Sequence, residues 1–265
     1  MLVNTVILFV KDILPICVLL SVASTVVPKH YVSRTIVSLL SAFVFVCVCL
    51  LFYFIEVLGG LFGGDGVEIF NAVVTAAVYV SLLMMTPRLI ARVQFNFVVL
   101  TSLAIALGLF TAIHLSEFLL YFLTFLSDRN SLVSIVIGSF FGIGICLSFS
   151  ALFFLFLTRF LVFTHYSKMI AWGLYLASFV MQLVTVLQQI GQLSTSLSLW
   201  NSANLVADDS EYGYLLNTLL GYISSPTVEH VQAYLLSLVV TSVVLFCTLR
   251  GVPVALAPKA LRSSK

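Results

Sequence analysis

Seven stretches of this chain are apolar for long enough to cross a bilayer, approximately residues 2–27, 36–58, 69–85, 95–126, 132–157, 169–187 and 231–249. A helix rises about 1.5 Å per residue and the hydrocarbon core is about 30 Å thick, so each run suffices for one span. In lipid every backbone polar group must be paired within its own segment, and runs of this length leave only the helix. The fold expected is all-α and integral to a membrane, with residues 1–265 as one transmembrane domain. Composition agrees, since 62% of residues are hydrophobic and 8% charged. A net charge of +2 with no basic face interleaved with aromatics excludes nucleic acid as a partner, leaving the lipid bilayer and other integral membrane subunits.

The loops set an orientation. Lys29 and Arg34 follow the first span, Arg88 and Arg92 the third, Arg159 and Lys168 flank the link after the fifth, and Arg250, Lys259, Arg262 and Lys265 follow the seventh. The alternate loops hold only Arg129. Positive residues stay in the cytoplasm, so the amino terminus is expected outside and the carboxyl terminus inside a bacterial-type cytoplasmic membrane. The first run has no basic region before it and carries charges within it, and reads as a retained helix rather than a cleaved signal. Its Lys11 and Asp12 fall near mid-bilayer, where ionisable groups are costly and face a bundle interior or a polar pathway.

Two outer segments are distinctive. Gly59 to Gly66, reading GGLFGGDG, is too rich in glycine to hold a helix and is expected to be a mobile connection. No lysine completes a phosphate loop there. Between Gly191 and Thr227, Leu215, Leu216, Leu219 and Leu220 form an apolar stripe preceded by Asp208, Asp209 and Glu211. That pattern predicts a short amphipathic helix on the outer surface, with Trp200, Tyr212, Tyr214 and Tyr222 at headgroup level. The five cysteines, Cys17, Cys47, Cys49, Cys146 and Cys247, sit inside apolar runs and read as small apolar residues. Phe149, Phe153, Phe154 and Phe156 give one span a face for lipid or for a partner helix. No nucleophile, base and orienter come together in the pattern, so an enzyme is not expected.

The opening MLVNTVILFVKDILPICVLLSVAS, the stretch GDGVEIFNAVV and the stretch LWNSANLVADDSEYGYLLNTLLGYISSPTVEHVQAYL resemble the high-affinity iron permeases, the family of the bacterial Efe-type ferrous-iron permease and the fungal ferroxidase-coupled permease. The resemblance covers almost the whole chain. It implies two three-helix units of opposite topology, residues 1–94 and 95–190, then an outer loop over 191–227, a last helix over 228–250 and a cytoplasmic tail. It also implies a transport site built from an Arg-Glu-x-x-Glu motif in the first and fourth spans, whose carboxylates meet at mid-membrane and hold iron.

Both motifs are degraded in this chain. The first reads Lys11-Asp12-Ile13-Leu14-Pro15 and the second Ser116-Glu117-Phe118-Leu119-Leu120, each keeping its first acid and losing its second. Matching the family's other acids puts Asn71 and Gln189 at two further lost carboxylates, with Gln188 beside the latter. The remnant site is Lys11, Asp12, His114, Ser116 and Glu117, with Asp12 and Glu117 as the metal ligands if any ion binds. Glu56, Asp65 and Glu68 would stand at the outer mouth. Carrying iron to mid-bilayer costs on the order of tens of kcal/mol before ligands offset it. A Lys11–Glu117 pair would weaken the field further, and His114 is expected in a structural hydrogen bond. Three functions follow: a non-conducting or weakly conducting accessory scaffold of a larger membrane complex, expected first; an active iron permease with a reduced site; and a proton or monovalent-ion pathway. No resident cofactor is expected, and iron enters only as cargo of the permease reading.

Overall fold

A computed structural model describes residues 2–26, 34–91, 97–126, 132–159 and 165–251. Its elements are α1 (Leu2–Leu8), a π-helical segment (Phe9–Ile13), α2 (Leu14–Val26), α3 (Arg34–Gly60), α4 (Gly66–Ala91), α5 (Phe97–Leu126), α6 (Leu132–Arg159), α7 (His165–Gln189), α8 (Glu211–Leu220) and α9 (Val228–Gly251). Seven of the helical runs are long and apolar enough to cross a membrane, the first being α1, the π segment and α2 read as one. The protein is therefore an all-α, multi-pass membrane protein.

The first span is the axis of the bundle, with 72% of its apolar window buried against 6% for α3. It packs on α6 along a stripe of small residues spaced four apart. A Cβ added to Gly138 would come within 2.9 Å of Thr5 Cβ, and one added to Gly142 within 2.7 Å of Phe9 Cβ. Farther along, the Cys146 thiol donates to the Phe9 carbonyl at 3.4 Å, and Ser150 Oγ lies 2.7 Å from Ser21 Oγ. Small residues allow this approach, which is how helices pack in lipid where no hydrophobic difference drives them together. The contacts climb both helices in the same sense, so α6 runs parallel to the first span.

A second parallel pair mirrors the first. Gly108 of α5 faces Phe43 and Leu40 of α3, and farther along Leu51 and Ile113 line one cavity. Exchanging the first three spans for the next three converts the α1/α2–α6 pair into the α5–α3 pair. The remaining long helices close the bundle. Trp172 Nε1 of α7 donates to Thr86 Oγ1 of α4 at 2.9 Å, and Thr185 Oγ1 of α7 lies 3.1 Å from His230 Nε2 of α9. Replacing Gly142 with alanine is expected to cost about 1–3 kcal/mol, because the Phe9 Cβ it would meet cannot turn away. Detergent-unfolding midpoints of the two proteins check this, and equal midpoints would contradict the close α1–α6 packing.

Pro15 lies just after the π segment. There the Leu14 N–H bonds back five residues to the Phe9 carbonyl, and the widened turn hands over to α2 at the residue before the imide. A π turn and a proline together account for a distorted rather than straight first helix. The glycine-rich connection differs from expectation. Gly59 and Gly60 stay helical at the end of α3, and Leu61–Gly64 make one 3₁₀ turn, with Gly63 at φ 82° and Gly64 at φ 119°. Phe62, at φ 52°, shares this positive-φ run with the two glycines, which adopt it without steric cost, and together they make a compact reversal.

The segment after α7 also differs. The helix α8 forms where the sequence places it, capped by Ser210, whose Oγ accepts from the Gly213 N–H at 3.0 Å. Tyr214, Leu215 and Leu219 pack on the bundle core, and α8 touches both α7 and the π segment. Leu215 and Leu219 of its stripe thus rest on protein, while Leu220, Tyr212 and Trp200 are exposed. The flanking loop is tied down: Asp208 accepts from the Ser224 N–H and hydroxyl, each at 2.7 Å, and Tyr222 donates to the Val206 carbonyl at 2.9 Å. Of the cysteines, Cys146 is buried, Cys17 and Cys47 half-buried, and Cys49 and Cys247 exposed, all free. Phe149 and Phe153 stack on each other and join the core, leaving Phe154 and Phe156 exposed.

Candidate functional site

His114 and Glu117 are three apart on α5 and so share one face of that helix. The π segment brings Asp12 to the same face from the opposite side. One ligand atom from each of Asp12, His114 and Glu117 lies within 4.8 Å of the other two. Asp12 is 1% exposed, and neither of its carboxylate oxygens has a hydrogen-bond partner; nor has His114 Nδ1. Buried polar atoms are nearly always paired, so both oxygens of one buried carboxylate left without a partner beside an unpartnered ring nitrogen stand out. A proton or a cation would satisfy them.

The walls are aromatic and apolar. The Phe110 ring packs edge-on against His114 at 4.3 Å, and Phe9, Phe118 and Phe122 cluster beside the π segment, with Phe9 and Phe118 at 4.8 Å. Toward α3 and α4 a small cavity of ≈ 30 Å³ opens beside Ser116 and Glu117, walled by Leu51, Val67, Phe70 and Leu120. That is room for about one water.

Several expectations need correction. Lys11 does not pair with Glu117, and among the described residues it makes no ion pair. Its side chain is exposed and its Nζ stands 5.4 Å from the centre of the Tyr121 ring. The reason is the π turn, which seats Asp12 in the core and leaves its neighbour on the rim. The Ser116 hydroxyl donates to the Ile113 carbonyl of its own helix at 2.7 Å. His114 does not make the structural hydrogen bond expected of its Nδ1.

Among the positions of lost acids, Pro15 is buried just beyond Asp12, and Leu120 walls the cavity beside Glu117. Asn71 Oδ1 accepts from Thr75 Oγ1 at 3.3 Å. Gln189 is exposed at the end of α7, where Gln188 Nε2 donates to Thr227 Oγ1 at 2.9 Å and so anchors the loop before α9. Asp65 and Glu68 are exposed where α3 turns into α4, and Glu68 is close enough to act electrostatically on Glu117. The side chains of Glu56, Arg88, Lys168 and Arg250 lie outside the described residues, as do Lys29, Arg92, Arg129, Lys259, Arg262 and Lys265. Arg34 and Arg159 are exposed at the end of the bundle away from Asp65.

Comparison with protein-family models, with curated proteins and with solved structures returns no match. The site therefore has to be read from its own chemistry.

Proposed function

We propose that the protein binds a divalent metal ion at Asp12, His114 and Glu117 and works as a reduced-site permease, with ferrous iron the cargo that the resemblance implies. The observation that carries this reading is the gathering of one ligand atom from each of Asp12, His114 and Glu117 within 4.8 Å of one another, with the Asp12 oxygens buried and unpartnered. With Lys11 turned to the rim, two carboxylates and a neutral imidazole face inward. A divalent ion cancels that charge, and a mixed oxygen and nitrogen set suits ferrous iron or manganese. The exposed acids Asp65 and Glu68 supply an attractive entrance beside the cavity that reaches Glu117. The distribution of basic residues supports an entrance outside and a carboxyl terminus in the cytoplasm of a bacterial-type membrane.

The scaffold reading is supported by a different observation. Pro15, Leu120, Asn71 and Gln189 offer no charge, so an ion at the site has no second ring of acids to pass to. Expression in a permease-deficient host separates the two. Iron uptake above the empty host, lost in Glu117→Ala, is expected of a permease. Uptake equal to the empty host, with ion binding retained by the purified protein, would move the site into the scaffold reading. Proton flux in vesicles without metal uptake would move it to the proton pathway.

A further inference from the structure

We propose that α8 and the two legs that carry it form a re-entrant segment, which dips from one membrane surface to mid-depth and seats the Tyr212, Leu216 and Leu220 edge of α8 against lipid acyl chains. Two neighbours gauge the depth independently. The apolar window of α7 runs over Met169–Gln189, and Ser178 lies eleven residues in from Gln189, about 16 Å at the helical rise. Half of a hydrocarbon core is about 15 Å. Ser178 Oγ donates to the Thr218 carbonyl at 3.1 Å, and a Cβ on Gly221 would lie 2.9 Å from Ser178 Cα, so the carboxyl end of α8 stands at that level. On its other side α8 touches the π segment, and Phe9–Ile13 lie close to the middle of the first span, Leu2–Thr25.

The legs cover that distance and satisfy their own backbone. From Gly221 to Thr227, whose Oγ1 accepts from Gln188 at the end of α7, the chain advances six residues, enough for about 20 Å when extended. The leg running down, 198–208, pairs with the one running up. Ser198 bridges Thr227, the Leu199 N–H donates to the Pro226 carbonyl at 2.9 Å, and the Ser202 N–H donates to the Ser224 carbonyl at 2.8 Å. Backbone outside a helix is tolerated at membrane depth only where the protein supplies its partners, and these bonds do so. Tyr212, Leu216 and Leu220 are four apart and share one edge of α8, with Tyr212 and Leu220 exposed and Leu216 half-buried. An apolar edge at this depth, on a helix that the π segment and α7 already flank, meets acyl chains. Asp208 accepts from the Ser224 N–H, which puts the amino end of α8 part-way up the rising leg. The exposed acids Asp209 and Glu211 stand at that shallower end, toward water.

Nitroxide depth measurement by EPR tests this on the full-length protein in lipid bilayers. Cys49 and Cys247, the exposed thiols, are replaced with alanine, and this parent supplies the background from the other cysteines. Labels are then placed singly at Tyr212→Cys, Leu216→Cys and Leu220→Cys, with Val239→Cys, exposed at the middle of α9, as the mid-membrane standard. Each replaces an exposed or half-buried side chain, and thermal unfolding at the parent's midpoint confirms the fold. Collision with dissolved oxygen relative to a water-soluble nickel chelate is expected to rise several-fold from 212 to 220, and to match Val239 at 220. A ratio that stays low at all three positions places this edge against water and overturns the proposal. Low collision with both reagents at 216 and 220 means that protein, a second copy of this chain included, covers the edge, and overturns lipid as its occupant.

Discussion

Replacing Asp12 with asparagine is expected to abolish divalent-cation binding and, in the ion-free protein, to raise the unfolding midpoint. The two effects have one cause. Asp12 is 1% exposed with both oxygens unpartnered, and a buried charge without a partner destabilises a fold by several kcal/mol unless something neutralises it. The amide keeps the shape and removes the charge, and about 1–3 kcal/mol of stability should return, the remainder being offset already by neighbours such as Lys11. Added ion should then act oppositely on the two proteins. At a concentration 100 times its dissociation constant a ligand stabilises the wild type by about 2.7 kcal/mol, whereas the Asp12→Asn midpoint should not move. Thermal unfolding with a chelator and then with Mn²⁺ measures both. Equal Mn²⁺ shifts in the two proteins would remove Asp12 from the site.

The positions of the spans could be read from the sequence because a bilayer imposes a length and leaves the backbone one way to satisfy itself. Asp12, His114 and Glu117 were legible for a similar reason, since charge at that depth has few tolerable uses and a spacing of three puts two of them on one face. The direction of Lys11 was not. Adjacent residues on a helix point about 100° apart, and the apolar pattern gives no reason to prefer either as the inward one; in the structure Asp12 is buried and Lys11 exposed on the π turn at Phe9–Ile13. A π turn leaves no signature that a single sequence displays. The α6 stripe of Gly138, Gly142, Cys146 and Ser150 did carry a signal, small residues at intervals of four, and it passes unnoticed when the same run is read only for its apolarity. The Gly59–Gly66 stretch misleads in the other direction. Glycine lowers helix propensity, yet Gly59 and Gly60 close a long helix, and within the stretch Gly63 and Gly64 use their freedom at positive φ while Gly66 has no room for a Cβ against the Leu58 carbonyl.

The docking of α8 is the other place where composition pointed to lipid and packing chose protein, and it yields a large expected effect. Gly221 ends α8 in the left-handed region at φ 71°, its N–H bonding to the Asn217 and Leu216 carbonyls. A Cβ there would lie 2.8 Å from Met181 Cγ and 2.9 Å from Ser178 Cα, and the second of these is backbone of α7 that cannot rotate away. The same contact is held by Ser178 Oγ, which donates to the Thr218 carbonyl at 3.1 Å. Gly221→Ala thus combines left-handed strain of about 1–2 kcal/mol with a clash between two helices. A total of about 2–4 kcal/mol should fall on α8, lifting its Tyr214, Leu215 and Leu219 face from the core while the seven spans stay folded. Hydrogen exchange would register this as faster exchange across Glu211–Leu220 with unchanged protection in α4 and α7. Because α8 also touches the π segment that carries Asp12, its release should admit water toward the carboxylate and speed ion exchange at the site. Unaltered protection of α8 in the Gly221→Ala protein would mean that its seat on α7 is not the close contact these distances describe.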